Sequence, residues 1–294
     1  MTRSENFVNY MAYKLFHESH QKRVYIRFIV ICLLLLIIYS FFHKDKPKYV
    51  PNISIEFKTN RTKYKTYIVT ENCDSERYRV TKNNIEIALP NFLDISCYPF
   101  IPLNDSRIHH NPLPLLKKFS SNLITFINLW TYQIPADLKD DEDEWAFIFE
   151  DDVNFVNSTT CFQKNFIETM NVFLNNPEIR KKHGFLYLGI CGPIWDNVDP
   201  IISENTEKNL TSQIGCGFCL HAAAITPRRS RFFWTEVSSY RPNDDGSLDK
   251  MVQSYCVRSG NHFYTFGSSF HYPMNTGHYG IAFQDRGRFG STVV

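Results

Sequence analysis

The chain has almost no net charge. Its 32 basic and 30 acidic residues leave +2 over 294 residues, and without a broad basic field the totals give no reason to expect nucleic acid as a partner. It also lacks internal repeats and low-complexity tracts, and it holds a single long uncharged apolar run. A multi-span membrane protein is thereby excluded. Charged residues at 21% and hydrophobic residues at 43% are ordinary globular usage, which excludes a disordered chain as well. What is abundant is aromatic side chain, 15% of the total and mostly Phe and Tyr. The length suits one large domain or two small ones.

The apolar run covers Phe28 to Phe42, fifteen residues without a charge, and Val24 to Ile26 extend it across Arg27. A spanning helix needs about 20 apolar residues, so the segment crosses a membrane only if Arg27 snorkels to the interface. More than twenty residues precede it and no small-residue cleavage site follows, which favours an uncleaved signal anchor over a removed signal peptide. Basic flanks nearly balance, with Lys14, Lys22, Arg23 and Arg27 on one side and Lys44, Lys46 and Lys48 on the other. Five Asn-x-Ser/Thr acceptors break the tie: Asn52, Asn60, Asn104, Asn157 and Asn209 all lie beyond the segment. The expected layout is a cytoplasmic tail 1–23, a transmembrane signal anchor 24–42, a stem 43–63 and a lumenal domain 64–294. A single-pass type II protein of the Golgi or endoplasmic reticulum membrane fits it.

Cysteine usage agrees with that compartment. Of eight cysteines, Cys32 falls in the apolar segment and seven fall beyond it, where disulfides are permitted. Seven is odd, so at least one stays free or pairs between chains. Cys216-Gly-Phe-Cys219 has no second Cys-x-x-Cys beside it and apolar neighbours, so a disulfide or a buried thiol is expected there rather than a zinc or redox site.

Beyond the stem, strand and helix signals alternate. Tyr64–Thr70 is β-branched and aromatic, as an opening strand should be. Leu115 to Gln133 follows Pro114 and repeats apolar residues at helical spacing. The short apolar run Trp145–Phe149 ends abruptly in Glu150-Asp-Asp152. A helix over 161–174, inner strands at 185–190 and 218–225, a helix capped by Thr226-Pro227 and another starting at Ser247 with Gly260 past its end complete the order. Alternation of this kind predicts an α/β domain with a largely parallel sheet.

At a strand end side chains alternate faces, so Glu150 and Asp152 are expected on one side and Asp151 on the other. Two acids sharing a side repel unless a cation lies between them, and oxygen ligands at that spacing suit Mg2+ or Mn2+. Such an ion would grip a nucleotide diphosphate and act as a Lewis acid on its departure. An isolated acidic triplet is as readily a helix N-terminus or a solvated turn. A position beyond the carboxyl ends of parallel strands, where open α/β sheets bind ligands, favours the site.

Read in order, Lys65–Val69 followed by Ser75-Glu-Arg-Tyr-Arg79, Ser120-Ser-Asn-Leu-Ile leading to Trp130, Phe147-Ile-Phe-Glu-Asp-Asp-Val153, Leu186-Tyr-Leu-Gly189 and Gly217–Ala224 resemble glycosyltransferase family 25. That family includes lipopolysaccharide-processing galactosyltransferases and collagen galactosyltransferases. The resemblance covers most of residues 64–294 and is sharpest at Glu150-Asp-Asp-Val153. It implies a GT-A-like, Rossmann-like α/β domain in which Glu150, Asp151 and Asp152 bind metal and nucleotide sugar, Asp152 most directly. Arg77 and Arg79 match the family's basic pair, where a guanidinium would hold phosphate; ordinary surface arginines would read the same. The family shows Ser-His in its first long helix, whereas Ser121 is followed here by Asn122.

Asp244-Asp-Gly-Ser-Leu-Asp249 lies about where the family has an acid-bearing acceptor segment. Asp245 or Asp249 is the expected base that takes the proton of an acceptor hydroxyl, although helix capping also explains Asp244 and Asp245. His271 and His278 lie in a Gly- and aromatic-rich stretch, where either would complete the metal shell. The resemblance thus implies transfer of galactose or glucose from a UDP-sugar, with Mn2+ or Mg2+, onto a glycan or a hydroxylated protein side chain. A membrane-anchored protein that binds glycans or scaffolds without catalysis is the competing expectation. A phosphoester hydrolase is weaker, since a two-metal site needs further His and Asp ligands.

Overall fold

The computed structural model describes residues 63–108, 113–139, 141–155, 170–171, 173–195, 201–202, 210–240, 247–268, 278–285 and 288. All of them fall in one compact unit, Pro47–Val294. The expected anchor 24–42 and nearly all of the stem lie outside the described residues, among which no helix is long and apolar enough to cross a membrane.

Strand β1, Tyr64–Thr70, is buried from Thr66 to Thr70 without alternation, as befits an inner strand covered on both faces. Ser75 then caps helix α1, Glu76–Ala88, accepting from Tyr78 N at 3.0 Å. Thr81, Ile85 and Ala88 form the helix's buried stripe. Strand β2, Leu93–Pro99, lies parallel to β1 at the sheet edge, where a terminal proline is tolerated. Helix α2, Pro114–Asn128, starts on its proline and continues through a π-helical stretch, Leu129–Gln133, into a last turn, Ile134–Asp137. The widened stretch leads up to Pro135, which lacks the N–H for the helical ladder.

Strand β3, Ala146–Glu150, is parallel to β1, and β4, Val153–Phe155, follows after two residues. A second π-helical stretch, Glu178–His183, leads into β5, Phe185–Trp195. Next come β6, Ile201–Ile202, and the long β7, Leu210–Ile225. Helices α3, Pro227–Ser238, and α4, Leu248–Ser259, precede β8, Phe263–Ser268, β9, His278–Gly280, and β10, Ala282–Gln284. Thr226 caps α3 and Gly260 ends α4 in the left-handed region, both as the sequence predicts.

The main sheet runs β2-β1-β3-β7-β8-β5-β9, with β6 on β7. Every strand of it except β7 and β9 points the same way. The fold is therefore mixed α/β with a mostly parallel central sheet. The expected inner strand 218–225 is half of β7 and runs against its neighbours, because parallel pairing needs a crossover of a dozen or more residues, whereas β7 returns antiparallel to β5 and pairs with it directly. Side chains alternate between two cores, Ile68, Phe147 and Phe149 facing one and Tyr67, Val69, Ala146 and Ile148 the other. Helix α1 contributes to the first core and α3 and α4 to the second, so the sheet is sandwiched.

Three disulfides join Cys73 to Cys97, Cys191 to Cys219 and Cys216 to Cys256. The Cys216-Gly-Phe-Cys219 tetrapeptide is thus divided between two of them, neither a zinc site nor a redox pair. Cys161, the odd one of the seven, lies outside the described residues.

Candidate active site

Strand β3 delivers its carboxylates at the carboxyl end of the parallel block, beside the end of β1. The strand stops at Glu150, and Asp151-Asp152 form a turn before β4. Alternation therefore does not extend past Glu150. Instead of lying on opposite sides, Asp151 and Asp152 are both reached by one guanidinium: Arg77 Nε stands 2.7 Å from Asp151 Oδ1 and Nη2 3.2 Å from Asp152 Oδ2. Asp151 also accepts from Thr70 Oγ1 at 2.6 Å, and its carbonyl accepts from Thr81 Oγ1 at 2.7 Å. It is 4% exposed. Its contacts make it the keystone that locks α1 and β1 to the turn.

Glu150 has different surroundings. Its Oε2 accepts from Gln284 Nε2 at 3.0 Å, across 134 residues of sequence. Strand β10, which carries Gln284, pairs antiparallel with β4, and Asp285 N donates to the Asp152 carbonyl at 2.7 Å. The last described segment so clamps the acidic turn from the other side. Burial pushes the Glu150 carboxyl well above its ordinary value, and Asp152, Asp249 and Asp151 push it further in that order, while the Gln284 hydrogen bond pulls it back. Asp249, in the first turn of α4, is thus an electrostatic neighbour of Glu150. It also adds to the upward shift of the buried Tyr187 hydroxyl, which burial dominates.

The other expected site residues divide. Arg77 enters the site but is engaged by carboxylates. Arg79, two positions along α1 and hence off that face, is exposed, so the expected basic pair is split. Asp244, Asp245 and His271 lie outside the described residues, and the side chain of His278 in β9 does too. Among the described residues one group has metal-ligand spacing, Cys191, Cys219 and His221 within 4.8 Å. Both its sulfurs are consumed by the disulfide, and His221 Nε2 lies 3.2 Å from the Ala282 carbonyl oxygen, so it is no metal centre.

A cleft of about 250 Å³ opens beyond the carboxyl ends of β1 and β2, lined among others by Glu71, Phe100, Leu103, Lys118, Ser121 and Asn122. Ser121 Oγ donates to the Ile101 carbonyl, and Ile101 N donates to Thr125 Oγ1 at 2.9 Å, which fastens the cleft wall to α2. Asn122, the residue that follows Ser121, lines this cleft.

No protein-family model matches the chain, and no curated protein does. Chemistry has to be read from the atoms themselves. Glu150, Asp152 and Asp249 offer oxygen donors of the kind that suits a hard divalent ion, and Asp152 and Asp249 act electrostatically on Glu150, but the structure does not bring the three to metal-ligand spacing. Arg77 takes Oδ2 of Asp152 and Gln284 takes Oε2 of Glu150. Of the surrounding residues, Thr70 at a strand end and Thr81 on the inner face of α1 are ordinary core-facing threonines in the sequence, and nothing there marks Gln284 or Asp285 as partners of the acids.

Proposed function

We propose that the chain is a metal-dependent glycosyltransferase of the GT-A kind, related to glycosyltransferase family 25. It moves galactose or glucose from a UDP-sugar to a glycan or protein acceptor. The observation that carries this reading is the delivery of Glu150, Asp151 and Asp152 at the carboxyl end of the parallel strand β3, with Asp249 an electrostatic neighbour of Glu150. A buried carboxyl whose proton affinity is raised by other carboxylates at a strand end is a functional-site signal. The neighbouring cleft lies where open α/β sheets accept ligands. Glu150 and Asp152 would hold Mn2+ or Mg2+, which when bound supplies Lewis-acid stabilisation of a departing diphosphate. Asp249 would take the acceptor hydroxyl's proton. Three disulfides and five glycan acceptors support a lumenal domain behind a single-pass type II anchor at 24–42, in the Golgi or endoplasmic reticulum membrane.

One observation favours a second reading. Arg77 already neutralises Asp151 and Asp152 internally, as in a protein that keeps the fold and binds glycans without catalysis. Melting temperatures of the purified protein with a panel of UDP-sugars, with and without Mn2+, separate the two, because a ligand of the native state raises the melting temperature. A rise that needs both metal and UDP-sugar, lost in Asp152→Ala, supports the transferase. Stabilisation by free glycans alone, indifferent to metal and to Asp152→Ala, removes it.

A further inference from the structure

The stretch after β2 carries a feature that sugar transfer does not use. Past Ile101 the chain makes a turn in which Asp105 N donates to the Pro102 carbonyl at 2.9 Å. Asn104 sits in that turn, exposed, directly after the cleft-lining Leu103, which is 45% exposed although apolar. Asn104-Asp-Ser106 is the one glycan acceptor among the described residues. Its middle residue is acidic, and the fold compensates the charge: Arg107 N, Nε and Nη2 each donate to the Asp105 carboxylate at 2.9 Å.

We infer that Asn104 carries an N-linked oligosaccharide, and that this glycan stands at the lip of the cleft, covering Leu103 and narrowing the entrance. The inference rests on the lumenal orientation proposed above. In the modification, Asn104 Nδ2 bonds to C1 of the reducing-end sugar of a lipid-pyrophosphate-linked oligosaccharide. The bond from C1 to the pyrophosphate oxygen breaks, the lipid pyrophosphate departs with that electron pair, and the amide nitrogen releases one proton. An exposed turn lets the modified chain fold with the glycan outside, which a buried asparagine would forbid. The sugar then removes part of the Leu103 side chain from water, a modest gain at an apolar surface.

The full chain, made in a secretory host cell, is mapped by mass spectrometry of its peptides before and after enzymatic release of N-glycans, together with Asn104→Gln and Ser106→Ala chains. Both variants are expected to lose one glycan-sized mass step. Hydrogen exchange across residues 100–106 is expected to quicken in both variants and in enzymatically deglycosylated wild type, the last of which excludes an effect of substitution on folding. If Asn104 is unmodified while Asn52, Asn60, Asn157 or Asn209 carries a glycan, the inference is overturned and the lumenal orientation stands. If none of the five is modified, both fall. A glycan on Asn104 whose removal leaves exchange at 100–106 unchanged overturns its covering role.

Discussion

Glu150 and Arg77 hold opposite positions in the balance of charge at the β3 end. The folded protein grips the Glu150 proton more tightly than the unfolded chain does, since burial and three neighbouring carboxylates oppose its ionisation. Stability tied to that proton is fully present below the ordinary value of 4.5 and is lost as pH rises toward the raised value. Glu150→Gln is neutral at every pH, so the metal-free variant is expected to melt above wild type by roughly 2–4 °C at pH 7.5, the shift that about 1 kcal/mol produces in a domain of this size. The difference should shrink on acidification, and a melting series from pH 4 upward reads it. Arg77→Ala has the opposite sign. It strands Asp151, 4% exposed, without its guanidinium, and urea unfolding should show a loss of about 3 kcal/mol, as for breaking a buried ion pair from one side.

At the level of elements, close backbone approach does what no side-chain contact could. Gly189 in β5 lies opposite Gly280 in β9, and a Cβ at Gly189 would stand 2.1 Å from the Ala282 carbonyl and 2.4 Å from His221 Nε2. Gly189→Ala therefore has to push β5 and β10 apart, at a cost of about 1–3 kcal/mol for overpacking. Since β10 also brings Gln284 to Glu150, the Mn2+ binding proposed above, measured by titration calorimetry, should weaken by about ten-fold, the scale of losing a partner that orients a ligand. If the variant binds Mn2+ as wild type does, β10 does not orient the acids. Which parts of this were legible in sequence follows from the range of the forces. Tyr64–Thr70, the Thr226 cap and the Gly260 stop are local, set by β-branched and aromatic residues, a hydroxyl or a left-handed turn, and all stand as expected. The acidic end of β3 was legible because the apolar run Trp145–Phe149 stops there. The direction of β7, the capture of Asp151 and Asp152 by Arg77, and the reach of Gln284 across the chain depend on tertiary pairing, for which neither period nor propensity carries a signal.

Over the whole molecule, covalent links and compartment belong together. Three disulfides close loops of 24, 28 and 40 residues of separation, each worth about 2–4 kcal/mol by restricting the unfolded chain. Full reduction should lower the melting temperature well beyond the effect of any single substitution above, and thiol counting on the unreduced, denatured protein should leave six of the eight cysteines unreactive. Six reactive thiols more than that would place the chain in a reducing compartment.

The division of one tetrapeptide between two bridges has a mechanical outcome. Cys216 ties β7 to Cys256 near the end of α4, and three residues on Cys219 ties the same strand to β5. The helix that bears Asp249 is thereby riveted to the slab of strands beneath it, and on the far flank Cys73 and Cys97 brace the β1 exit against β2. A frame bolted at these points holds Asp249, the proton acceptor proposed above, close to the strands. The chain beyond Phe100, the stretch that carries Leu103 and Asn104, lies past the last of these bolts on that flank.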